Sequence, residues 1–128
     1  MIDLSSWRVL VVDDEKDFVS IVVPILQNAR IEVDTAYTAE DALDMLKANP
    51  PTVALIDLML PGMDGFELIE TMKRDPVLST IPAVAITAYD TISVFDEALR
   101  AGFHAYFPKP IKAVSFVDEL VSVLDTAS

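Results

Sequence analysis

Cysteine is absent from the 128 residues, which excludes a disulfide framework and any thiolate metal site. There is one histidine, His104. A single imidazole can neither build a zinc ligand set nor relay a phosphoryl group to a second one, so His104 is read as structural or exposed. Glycine is scarce, at three residues, and neither GxGxxG nor GxxxxGK[ST] occurs, so nucleotide binding has no loop to rest on. No apolar run reaches the roughly 18 residues needed to span a bilayer, and no secretory leader pattern opens the chain. Basic residues number 9 against 21 acidic ones, for a formal charge of −12. That balance disfavours nucleic acid and anionic membranes, both of which call for a basic surface. It permits divalent cations and basic protein partners. A cytoplasmic protein with no nucleic-acid or membrane binding is expected.

What is present is apolar and regularly spaced. Hydrophobic residues make up 52 %, enough for one sizeable core, so residues 1–128 are read as a single domain. Five short apolar runs punctuate the chain: RVLVVD (8–13), IEVDTA (31–36), TVALID (52–57), PAVAIT (82–87) and AYFPK (105–109). The first, third and fourth are nearly continuous in Val, Ala, Leu and Ile, as in strands buried on both faces of a parallel sheet. The second alternates and reads as an edge strand. Helical spacing fills the gaps at about 15–28, 39–51, 65–76, 91–102 and 113–124. Thr38 is a fitting N-cap and Gly102 a fitting C-cap. Asp64-Gly65 reads as a turn and cap before the third helix. Pro24 lies inside the first helix, where a kink, or a break into two helices, is expected. Strands alternating with helices give a (βα)5 α/β fold, an open five-stranded parallel sheet with helices on both faces.

Ligands in such sheets bind beyond the carboxyl ends of the strands. There the chain places Asp13 and Asp14, Asp57, Thr87, and Lys109 followed by Pro110. Two adjacent carboxylates repel by on the order of 4 kcal/mol at ~4 Å and an effective dielectric near 20. A cation, basic side chains or full solvation would offset this. An ordinary N-cap role for Asp13 and Asp14 is the plain alternative. Three acids without soft ligands suit a hard cation such as Mg²⁺. Thr87 and Lys109 beside them suit an anion that arrives with it, with phosphoryl oxygens the natural candidate. Asp57 would then be a carboxylate nucleophile.

The segments VVDDE (11–15), LIDLMLPGMDGFEL (55–68), AITA (85–88) and FPKPI (107–111) together resemble a response-regulator receiver domain of two-component signalling, similar to the chemotaxis regulators. The likeness implies a flavodoxin-like sheet of order 2-1-3-4-5 and a phosphorelay role rather than turnover of a substrate. It implies that Asp57 accepts a phosphoryl group from a sensor histidine kinase or a histidine phosphotransfer protein. Asp14, Asp57 and the Met59 carbonyl would hold Mg²⁺ directly, with Asp13 acting through a bound water. Thr87 and Lys109 would bind the phosphoryl group, and Thr87 with Tyr106 would form the switch. The Lys109-Pro110 peptide would be cis.

The first helix would dock the kinase. Its spacing turns Phe18, Val22, Ile25, Leu26 and Ala29 toward the sheet and Asp17, Ile21, Pro24 and Asn28 outward. Met59 and Tyr89 would flank the path of an attacking water and slow self-dephosphorylation. The output partner is unspecified, no output domain is expected in this chain, and a phosphorylation-dependent dimer is left open. Two competitors remain. One is an interaction module of the same fold that works without phosphate. The other is a haloacid-dehalogenase-type phosphatase, disfavoured because Asp57 is followed by Leu58 and Met59 rather than by an acid two residues on.

Overall fold

The computed structural model describes residues 4–88 and 91–125. Tyr89 lies outside them. Five strands, β1 (Arg8–Val12), β2 (Glu32–Ala36), β3 (Val53–Asp57), β4 (Ala83–Thr87) and β5 (Ala105–Pro108), alternate with five helices. These are α1 (Lys16–Asn28), α2 (Ala39–Ala48), α3 (Gly65–Arg74), α4 (Ile92–Ala101) and α5 (Phe116–Asp125). All strand pairs are parallel and the order is β2-β1-β3-β4-β5. The open sheet with helices on both faces and the alternating strand as an edge are as the sequence implied.

The continuous apolar runs split by period two between the faces. Val9, Val11, Val53, Leu55, Val84 and Ile86 pack with α1 and α5. Leu10, Val12, Ala54, Ile56, Ala83 and Ala85 pack with α2, α3 and α4. No face is left for solvent, so β1, β3 and β4 tolerate no alternation.

Helix ends follow local chemistry. The Thr38 side chain accepts from the Asp41 N–H, and Thr91 does the same for Val94. Asp64 and Glu67 form a reciprocal capping box. Gly102 closes α4 at φ 116°, in the left-handed region. Every expected helix is one to three residues too long at an end. The ends differ most at α2, which stops at Ala48 rather than at 51, and at α5, which starts at Phe116 rather than at 113. Residues 113–115 form a turn in which Ser115 N–H donates to the Lys112 carbonyl, and Val114 is 99 % exposed. An apolar residue there has nothing to pack on, so amphipathic spacing alone overran the boundary.

Helix α1 runs unbroken through Pro24, so the two-helix alternative is excluded. The carbonyl that Pro24 leaves without its usual N–H donor is that of Ser20, which is exposed and can turn to water. The buried residues of α1 are Phe18, Val19, Val22 and Leu26. Val19 was not foreseen as facing inward, and Ile25 and Ala29 are only half-buried. Asp17, Ile21, Pro24 and Asn28 face outward as the spacing implied.

Candidate functional site

The parallel register brings the strand ends level. Val12 lies beside Ile56 in β1 and β3, and Asp57 lies beside Ile86 in β3 and β4. Asp13, Asp57 and Thr87 therefore stand in a row at the carboxyl edge of the three central strands. All three are almost fully buried, the three buried polar or charged residues among those described. Asp14, one residue further, is exposed. Its solvation relieves part of the Asp13–Asp14 repulsion. Carboxylate oxygens of Asp13, Asp14 and Asp57 lie within 4.8 Å of one another, an all-oxygen donor set of the kind hard divalent cations take.

Lys109 supplies the counter-charge. Its Nζ is 2.9 Å from Asp13 Oδ2, 3.5 Å from Asp57 Oδ2 and 2.5 Å from Glu15 Oε1. It also sits 4.5 Å above the centroid of the Phe18 ring, where the aromatic face favours a cation. Its backbone N–H donates to the Thr87 carbonyl at 2.8 Å, and the following peptide to Pro110 is cis. Burial disfavours the ammonium, but its bonds to Glu15 and Asp13 and the charge of Asp57 outweigh this and raise its pKa above the usual lysine range. Lys109 stays charged.

Asp57 is pushed up from 3.8 to about 6. Burial is the main cause. The Met59 N–H, donating to Asp57 Oδ1 at 3.1 Å, works against it. The Asp13 charge raises the value again and Lys109 lowers it. A carboxyl so held is eager for a cation, because a metal would favour its ionised form. Asp13 keeps part of its plain alternative role, since its Oδ1 accepts the Glu15 N–H at 2.8 Å. The N-cap itself is Glu15, with no side-chain cap bond.

Asp14, Glu15, Asp57, Met59, Ala88 and Lys109 line a cavity of about 220 Å³. A second, mainly apolar cavity of about 330 Å³ adjoins it across Met59, lined by Leu58, Phe66, Thr87, Val94 and Glu97 as well. Tyr106 is half-buried with its ring centroid 3.9 Å from that of Phe95 on α4.

Glu15 and Gly65 matter more to the site than the sequence pattern implies. Glu15 ends the VVDDE segment, whose likeness assigns it no role, yet it makes the shortest side-chain contact of Lys109. Its one signal was being a third consecutive acid after a buried strand. Gly65 was read as a turn residue. A Cβ there would lie 2.5 Å from the Asp57 carbonyl oxygen and 2.8 Å from Leu58 Cα, so its lack of a side chain lets α3 approach the strand end. Nothing in the local sequence announces that approach.

A family model for the response regulator receiver domain matches residues 9–121. The chain belongs to this family. Among relatives of the receiver domain, the heme response regulator HssR of Staphylococcus epidermidis is 34 % identical over 115 residues, which are 90 % of this chain and 50 % of HssR. An uncharacterized protein of Leptolyngbya boryana is 35 % identical over 114 residues, covering 89 % of this chain and 87 % of that one. Among solved structures, the chemotaxis response regulator CheY4 of Vibrio cholerae superposes with a TM-score of 0.85 at 26 % identity, over 91 % of this chain and 98 % of CheY4. The receiver domain thus spans about half of HssR and nearly all of CheY4. No helix among the described residues is long and apolar enough to cross a membrane.

Proposed function

We propose that this receiver domain is a phosphoacceptor switch in which Asp57 takes a phosphoryl group from the phosphohistidine of a sensor kinase or a histidine phosphotransfer protein. An Asp57 carboxylate oxygen forms the new P–O bond as the P–N bond breaks, and the imidazole leaves with the electron pair. Asp14, Asp57 and the Met59 carbonyl would hold Mg²⁺, with Asp13 reaching it through water, and the metal would neutralise the phosphoryl oxygens. Lys109 and the Thr87 hydroxyl bind those oxygens afterwards. Tyr106 and the helix α4, strand β5 and helix α5 surface then rearrange, as a phosphoryl group of roughly −1.5 to −2 charge replaces the single carboxylate charge at the site.

The observation that carries this reading is one cavity holding a buried carboxyl, two further acids and a lysine at the carboxyl edge of the sheet. The same arrangement supports a switch over an enzyme, since Leu58 and Met59 offer no acid two residues after Asp57 to protonate a leaving group. Cytoplasmic location, kinase docking on Asp17, Ile21, Pro24 and Asn28, and slow dephosphorylation set by Met59 and Tyr89 belong to this reading. So do a single-domain chain and an output partner met through the switched surface, with or without dimer formation.

Incubation with acetyl phosphate and Mg²⁺ should give an acid-labile label that Asp57→Ala abolishes. Label retained by Asp57→Ala would show the acceptor to be wrong. No label on the unaltered protein would favour the phosphate-independent interaction module.

A further inference from the structure

Lys109 has three carboxylates within reach, and it is nearest the one that takes no part in phosphoryl chemistry. The contact to Glu15 is 2.5 Å, against 3.5 Å to the Asp57 acceptor. We propose that Glu15 is a positioning residue that tethers Lys109 in the resting state and competes with the phosphoryl group for it. This rests on the phosphoacceptor reading above and adds a control on the same site.

The geometry favours a tether over a chance surface pair. Lys109 has only 11 % of its side chain exposed, clasped over the Phe18 ring, so its ammonium has few other positions to visit. The Glu15 backbone is fixed to the site, because its N–H is bonded to Asp13 Oδ1. Its side chain is 60 % exposed, so it can release the lysine to water without leaving a buried charge behind. A buried partner such as Asp13 could not. The tether also keeps Lys109 from closing fully on Asp57, which leaves the acid cluster open to a cation. Two consequences of opposite sign follow. Without Glu15, Lys109 presses harder on Asp13 and Asp57 and Mg²⁺ binds less well. A phosphoryl-like anion, which needs Lys109 to be free, binds better.

Mg²⁺ affinity by calorimetry, and beryllofluoride affinity at saturating Mg²⁺, test this in the unaltered chain, Glu15→Gln, Lys109→Met and the double variant. Glu15→Gln should weaken Mg²⁺ and tighten beryllofluoride, each on the order of threefold, the range of a partly exposed ion pair. In the Lys109→Met background the Mg²⁺ shift should vanish, since the effect runs through the lysine. Glu15→Asp keeps the charge but loses one methylene of reach, and it should behave as Glu15→Gln does.

An undiminished Mg²⁺ shift in the Lys109→Met background would overturn the tether in favour of simple charge. So would a Glu15→Asp variant indistinguishable from the unaltered chain, or normal Mg²⁺ binding unmoved by Glu15→Gln. Absence of any Mg²⁺ binding by the unaltered chain would instead overturn the phosphoacceptor reading, and the tether with it.

Discussion

Helices α1 and α4 lie on opposite faces of the sheet, both beginning at its carboxyl edge, but are held very differently. Helix α1 buries Phe18, Val19, Val22 and Leu26 against the branched residues of β1 and β3. Helix α4 buries only Ala98, leaves Ile92 82 % and Leu99 41 % exposed, and rests on the Phe95–Tyr106 ring contact beside an open cavity. One helix is part of the core, and the other is laid against it. Elements that must move are drawn from the lightly held end of a structure. The contrast therefore supports a switch that reads out through α4 while α1 stays fixed for a partner.

The largest expected effect tests that contrast directly. Leu26→Ala on α1 should cost about 3 kcal/mol in urea unfolding, as for deletions in filled cores, whereas Leu99→Ala on α4 should cost less than about 0.5 kcal/mol. Equal losses would mean that α4 is as firmly held as α1. A middle effect is expected where α3 meets β3. Gly65→Ala forces a Cβ against the Asp57 carbonyl and should cost about 2 kcal/mol by overpacking, with no comparable loss for an alanine placed on the outer face of α3.

A pH titration separates the strand-end site from both helices. Asp57 holds its proton up to about pH 6 in the folded chain, against 3.8 unfolded. The folded state therefore binds the proton more tightly, and this stabilisation is full below about pH 4 and lost as pH rises through 6. In metal-free buffer the unaltered chain should lose melting temperature over that window relative to Asp57→Asn, and Mg²⁺ should remove the difference at neutral pH. Parallel curves for the two proteins would show Asp57 to have an ordinary affinity for its proton.

Much of this was legible early because the signals were redundant. Val9 to Val12 and Val53 to Ile56 could be buried strands on composition alone, and each ended in an acid. Thr38, Asp64 and Gly102 stood where caps belong. Val114 misled because helical spacing continues through residues 113–115 while the packing does not. Val19 escapes a single-stripe reading because α1 buries a wider arc, with Phe18 and Val19 side by side in the same cluster. Gly65 was undervalued because its neighbour is a backbone carbonyl from another element, invisible to local pattern.

The sequence by itself determined the parallel sheet, the helices between its strands and the residue types at the strand ends. Period-two burial and buried β-branched runs permit no other layering. Only the tertiary structure decided which carboxylates are buried, how far Asp57 is driven from its ordinary pKa, and which acid Lys109 prefers. Those outcomes depend on differences of about an ångström between groups as far as 94 positions apart. Burial changes the charge energetics of each group, and no local pattern encodes either the distance or the burial.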